Sequence, residues 1–391
     1  MVNFEYYAPT KVVFGKDAQL QVGQLAKQAG ATKVLVHFGG KSAKASGLLD
    51  QVLASLDASG LAHVELGGVV PNPRLSKVRE GIELCRKEGV DFLLAIGGGS
   101  VMDMAKGLHL FYENPDMTFE DSLKPFALPE LGKKAESVFV PNTSGTGSEA
   151  SSAAVFINPE TRVKNLLLSN TLIPRYAVVD ADFTDQLPDS VLVASALDAL
   201  SHAVESTSAK NASSFTKAVA TQAALDILEC LPDGVDSSRP EQRLAAREKL
   251  HMAATFAGIA ITNSFTGIVH SYDHPGPAFN LPHGVVCGIM LPYSMKFVGP
   301  NKNYACIARR LGYTGDVEEL SNRLAAHILE FNRKLGLQNT FVGLGVDEAE
   351  YFANVPRWAE ISLQGMATKM SPANMDLEKG KQFYTMCYYG E

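Results

Sequence analysis

Short runs of consecutive apolar residues alternate with amphipathic stretches through the first half of the chain. Lys33-Val34-Leu35-Val36-His37 reads as a buried strand ending in Gly39-Gly40, and a second apolar run follows around Ala62–Leu66. Apolar positions then recur at helical spacing over Leu75–Glu88. Asp91-Phe92-Leu93-Leu94-Ala95-Ile96 reads as a strand running straight into Gly97-Gly98-Gly99-Ser100. Val138-Phe139-Val140 and Ala177-Val178-Val179 add two more. Near-continuous apolar strands alternating with helices predict a mainly parallel, doubly wound sheet covered on both faces. After about Asp182 the pattern changes to helical periodicity over 191–208, 214–231 and 243–261. The expectation is an α/β domain over 1–185 and an all-α domain over 186–391, divided in the Phe183–Pro188 link.

Composition narrows this picture. A chain of 391 residues exceeds the size at which one core stops growing, so two domains are expected. Apolar residues make up 46% and charged residues 20%, as in a globular protein with a large core. The net charge is −7 and no Lys/Arg-rich run occurs, which excludes nucleic acid and anionic membrane as natural partners. No apolar run approaches the ~20 residues of a bilayer span. Five cysteines without a C-x-x-C pair support neither a disulfide framework nor a zinc ribbon, and the start of the chain lacks a signal-peptide pattern. A cytoplasmic protein, working as a homo-oligomer (a dimer being the commonest case), is the expectation.

The candidate chemistry lies in one Asp and a cluster of His. Asp198 and His202 are four apart, as are His270 and His274, and His283 follows nine residues on. Residues four apart lie on one helix face, so each pair can aim at one point. One carboxylate with neutral imidazoles suits a divalent ion such as Fe(II) or Zn(II). Spacing leaves open which of His270 and His274 would bind it.

Two loops offer a nucleotide site. Gly97-Gly98-Gly99-Ser100 sits between a strand and a helix, where glycines admit a phosphate and the helix N-terminus offers N–H groups. It is not the G-x-G-x-x-G pattern. Asp103 falls within the first turns of that helix. The second loop, Pro141-Asn142-Thr143-Ser144-Gly145-Thr146-Gly147-Ser148-Glu149, carries hydroxyls that can hold a phosphate or amide. Gly39, Gly40, Lys41 and Ser42 follow the first strand, where an adenosine ribose commonly sits. An acid there would repel a 2′-phosphate; none occurs before Asp50, which favours NADP(H) over NAD(H).

Taken together, Asp198-x3-His202 … His270-x3-His274-x8-His283 and both loops resemble the iron-containing (group III) alcohol dehydrogenases. The resemblance covers nearly the whole chain. It includes Tyr7-Ala8-Pro9-Thr10-Lys11-Val12-Val13-Phe14-Gly15, Gly68-Val69-Val70-Pro71-Asn72-Pro73 and Asp198-Ala199-Leu200-Ser201-His202-Ala203-Val204-Glu205. Its N-terminal part looks closest to the butanol dehydrogenase branch, and its metal segment to the lactaldehyde reductase branch. The resemblance implies a dehydroquinate synthase-like architecture with a cleft between the domains. It implies metal ligands at Asp198, His202, His270 and His283, and a further histidine near the substrate at His274. It implies coenzyme contacts at Asn72, Gly98, Gly99, Ser100, Asp103, Thr143, Thr146, Ser148 and Lys164. In two places the chain departs from the family. The stretch from His274 to His283 is one residue shorter than in close relatives, which would displace the loop carrying the last ligand. Asn142 replaces a Thr.

The implied activity is hydride transfer between the nicotinamide C4 of NADP(H) and a small alcohol or aldehyde polarised by the metal, with His274 or water moving the proton. Two alternatives use the same architecture: a dehydroquinate synthase-like lyase, and a nucleotide-binding protein with a degenerate metal site. Few basic residues stand among the C-terminal motifs to bind a lyase's phosphate-bearing substrate.

Overall fold

The computed structural model describes residues 4–40, 42–70, 75–157 and 164–390. They form two compact units, Tyr7–Pro188 and Asp189–Glu391, and the start of the chain, Met1–Tyr6, belongs with the second.

The first unit is built on a six-stranded sheet of β1 (Lys11–Phe14), β2 (Lys33–Phe38), β3 (Ala62–Leu66), β4 (Phe92–Gly97), β5 (Glu136–Pro141) and β8 (Tyr176–Val179). The order is β1-β8-β5-β4-β2-β3, with every pair parallel. The central strand β4 is buried along its whole length. That is what a run with no polar alternation requires, because helices cover both faces of a parallel sheet. One face packs Leu35, Leu93 and Phe139 against the helix Gly99–Glu113. The other packs Val34, Val36, Leu94 and Val138 against the helices Val22–Gln28 and Leu48–Ala58. The apolar patterns thus mark β2, β3, β4, β5 and β8. They assign no strand to β1, an exposed edge strand, nor to the antiparallel hairpin of β6 (Ala153–Ile157) and β7 (Lys164–Leu168).

Among the described residues, the second unit contains helices and no strand. Its long helices include Asp189–Ser208, Ser214–Gly234, Pro240–Thr262 and His283–Val298. From Ala196 to Ser208 every residue of the first is buried. Alanines and serines make that possible: neighbouring helices approach closely, and Ser201 and Ser206 return their hydroxyls to the carbonyls of Leu197 and Ala203. No described helix is long and apolar enough to cross a membrane. The architecture is the dehydroquinate synthase-like one, an α/β unit followed by a helical unit.

Candidate metal centre and coenzyme loops

Three helices of the second unit converge on one carboxylate oxygen. The helix Asp189–Ser208 carries Asp198, His202 and Glu205 on one face, all nearly buried. The short helix Ile268–Tyr272 carries His270, and the helix His283–Val298 begins at His283. Two glycines press the last onto the first: a Cβ on Gly284 would meet the Ala194 carbonyl oxygen at 1.7 Å, and one on Gly288 would meet Leu197 Cδ1 at 2.6 Å. Only glycine permits that backbone approach.

Around Asp198 Oδ1 stand His270 Nε2 at 3.3 Å, His283 Nε2 at 3.3 Å and His202 Nε2 at 3.6 Å. Ligands held about 2.0–2.2 Å from one ion are themselves about 3.0–3.6 Å apart, so the donors fit a shared divalent cation. Burial opposes charge on Asp198, but the imidazoles of His202, His283 and His270 outweigh it and hold the carboxyl well below its usual range. Burial pushes His202 down to about 3, which keeps its ring neutral, as ligation requires.

Behind the imidazoles stand two carboxylates that the spacing pattern does not single out. Glu205 Oε2 lies 2.6 Å from His270 Nδ1, and Asp273 Oδ2 lies 2.8 Å from His283 Nδ1. An ionised carboxylate only accepts, so each pair holds a ring proton on Nδ1 and leaves Nε2, which faces Asp198, as the nitrogen that would ligate an ion. The available signal was Glu205, seven residues after Asp198 and so on the same face.

A thiol beside these donors was also missed. Among the described residues, one set of ligand atoms lies within 4.8 Å of one another, and it comprises Asp198, His270, His283 and Cys287. His202 stands just outside that set, its ring stacked on His270 at 4.5 Å between centroids. The geometry separates His270 from His274, which spacing leaves open. His270 is within the set; His274 caps the helix Pro275–Phe279 and stacks on Trp358, 6.4 Å between centroids. The short connection to His283 is taken up by that five-residue helix and by Asn280 in the left-handed region (φ 54°). With this connection, His283 Nε2 lies 3.3 Å from Asp198 Oδ1.

In the first unit β4 ends at Gly97, and Gly98 is the extended residue before the helix Gly99–Glu113. No acidic residue stands in that helix's first turn, so its positive end is left for an anion. The hydroxyl loop packs against the glycines. A Cβ on Gly99 would meet Thr146 Cγ2 at 2.5 Å, and one on Gly98 would meet Thr143 Oγ1 at 3.0 Å. Gly97 to Ser100, Thr143 and Thr146 therefore come together.

Three residues expected at the coenzyme have buried or internal contacts. Ser144 has no accessible surface, and the Ser148 hydroxyl donates to Asp103 Oδ1 at 2.8 Å while accepting from Lys106 Nζ at 2.8 Å. Asp103 Oδ2 also takes the Val155 N–H at 2.9 Å. Asp103 and Ser148 brace the loop from behind, a buried role that hydroxyl and carboxylate chemistry alone does not distinguish from ligand contact. Lys106 completes the brace on the carbonyls of Ser151 and Ala153, and burial lowers its amine to about 8. Gly39 is buried beside Val101, whereas a Cβ on Gly40 would meet nothing within 4 Å among the described residues. Ser42 opens a short helix and Lys164 opens β7. Lys41 and Asn72 lie outside the described residues.

Comparison with known proteins agrees with this reading. The model of the iron-containing alcohol dehydrogenases matches residues 9–181, and that of the family's C-terminal region matches residues 192–388. The chain belongs to the iron-containing alcohol dehydrogenase family. It is 33% identical over 386 residues to the NADPH-dependent butanol dehydrogenase of Clostridium saccharobutylicum, covering 98% of this chain and 97% of that one. It is 30% identical over 377 residues to the lactaldehyde reductase of Escherichia coli K12, covering 95% and 96%. An alcohol dehydrogenase from Oenococcus oeni superposes with a TM-score of 0.91 at 26% identity over 99% of this chain and all of the other. An iron-containing alcohol dehydrogenase from Thermococcus thioreducens gives 0.89 at 29% identity, again over 99% of this chain. These relatives support an alcohol dehydrogenase or aldehyde reductase over the lyase alternative.

Proposed function

We propose that this protein reduces small aldehydes to alcohols with NADPH at a divalent-metal centre, Fe(II) in its working form. The observation that carries the proposal is the convergence of three imidazole nitrogens on Asp198 Oδ1 at 3.3, 3.3 and 3.6 Å. When bound, the ion supplies a Lewis acid for the substrate oxygen, and the coenzyme supplies hydride from its nicotinamide C4.

The residues divide the remaining work. Asp198, His202, His270 and His283 hold the ion, and Glu205 and Asp273 aim two of the rings at it. Gly97, Gly98, Gly99 and Ser100 present the helix N-terminus to the pyrophosphate, with the Thr143 and Thr146 hydroxyls beside them. Gly40 stands where an acid would repel a 2′-phosphate, which supports NADP(H) over NAD(H), as does the coenzyme in the name of the Clostridium relative. His274 is the proton carrier we assign at the substrate oxygen, held in orientation by its stack on Trp358. The five cysteines are free thiols, which supports a reducing cytoplasm.

The test is oxidation of NADPH by butyraldehyde in metal-stripped protein, with and without added Fe(II) or Zn(II). Turnover restored by iron in the wild type and absent from His270→Ala, with NADPH binding kept in both, is the expected result. Equal turnover in stripped and loaded protein would refute the metal-dependent mechanism.

A further inference from the structure

We propose that Cys287 is a further ligand of the metal centre, adding a sulfur donor to Asp198, His202, His270 and His283. The inference rests on the metal-centre reading and names a donor that the Asp–His pattern does not contain.

Cys287 lies four residues after His283 on the helix His283–Val298, hence on the same face one turn along. It has no accessible surface. Its Sγ is 3.6 Å from His283 Nε2 and 4.0 Å from His270 Nε2, the two nitrogens that face Asp198. Among the described residues, its ligand atom closes the set that lies within 4.8 Å of one another. Zinc–sulfur bonds of about 2.3 Å and zinc–nitrogen bonds of about 2.0–2.1 Å separate adjacent donors by about 3.5–3.8 Å, so Sγ is within a few tenths of an ångström of that spacing. The depth of the residue is set by backbone packing, because its neighbour Gly288 and, one turn earlier, Gly284 seat this helix directly on the helix that carries Asp198.

Sγ now stands beside the His283 ring, 3.7 Å from Nδ1 and 3.6 Å from Nε2. On binding, the S–H bond breaks, its proton leaves to solvent, and a sulfur lone pair forms the bond to the ion; nothing is oxidised. A thiolate biases the centre toward softer ions such as Zn(II), Co(II) or Cd(II), at the expense of Mg(II) or Mn(II).

The experiment uses the full chain, stripped of metal and loaded stoichiometrically with Co(II). Wild-type protein is expected to show a sulfur-to-cobalt charge-transfer band in the near ultraviolet beside the visible d–d bands. Cys287→Ser is expected to lose the first and keep the second. X-ray absorption of Cd(II)-loaded wild type gives an independent readout, sulfur in the first coordination shell, which needs no variant to fold. Stoichiometric cobalt with no charge-transfer band, or a band that persists in Cys287→Ser, overturns the sulfur ligand and leaves the Asp–His centre standing. Failure of the wild type to take up cobalt overturns the metal-centre reading, and this inference with it.

Discussion

Glu205 Oε2 lies 2.6 Å from His270 Nδ1, and the other oxygen of the same carboxylate accepts the Val269 N–H at 2.8 Å. One buried acid therefore sets both the ring orientation and the start of the short helix that carries the ring. Gly267 leaves room for it, since a Cβ there would lie 2.6 Å from Glu205 Oε1.

Replacing that acid tests the arrangement. Glu205→Gln keeps the shape but weakens the grip on Nδ1–H, and metal affinity is expected to fall about ten- to a hundredfold. Competition against a chromophoric chelator measures it. Unchanged affinity would mean that His270 is oriented by packing alone.

The contact between the two coenzyme loops gives a second prediction. Gly99→Ala places a methyl 2.5 Å from Thr146 Cγ2, a branched side chain with little freedom to retreat. An overpacking penalty of about 1–3 kcal/mol is expected to weaken NADPH binding by roughly tenfold or more. Metal content is expected to stay at the wild-type level. Nucleotide fluorescence titration with parallel metal analysis reads both.

Coenzyme choice turns on Gly40. Because a side chain there meets none of the described residues, Gly40→Asp is expected to fold normally and to repel a 2′-phosphate while accepting a free ribose hydroxyl. The ratio of NADPH to NADH affinity should drop at least about tenfold, a difference of about 1.4 kcal/mol. A ratio that does not move would place the 2′ position elsewhere.

Acid sensitivity of the first unit has an identifiable source. Glu113 accepts the N–H groups of Gly132, Lys133, Lys134 and Ala135 and pairs with His109. Burial would raise its carboxyl, but the His109 and backbone hydrogen bonds outweigh this and lower it from 4.5 to about 2. Its stabilising contribution is complete above the unfolded value and is lost as pH falls from about 4.5 towards 2. Glu113→Gln is expected to cost about 2 kcal/mol at neutral pH and to flatten the acid limb of the stability curve. Urea midpoints recorded across that pH range give the comparison.

Much of the first unit was legible because its strands are buried on both faces, so Leu93-Leu94-Ala95-Ile96 reads as a strand with no partner known. The edge strand Lys11–Phe14 was not, since half-exposed residues carry no burial pattern. Asp198, His202, His270, His274 and His283 stood out as candidates because metal ligation restricts residue type and helical spacing restricts position; the resemblance, not spacing, chose His270 over His274. Glu205, Asp273 and Cys287 did not: a buried acid behind an imidazole and a thiol on a core helix look like ordinary residues until the chain is folded.

The amino-acid sequence by itself determined the strands β2, β3, β4, β5 and β8, the change from α/β to helical texture near Asp182, and the family, because periodicity and motif spacing are local properties. The tertiary structure decided which imidazoles share one oxygen and which acids stand behind them. It also turned Ser148 and Asp103 into braces and brought sulfur to the edge of the cluster. Those outcomes depend on contacts between helices and loops far apart in the chain, such as Gly284 against Ala194, and no local pattern encodes such a contact.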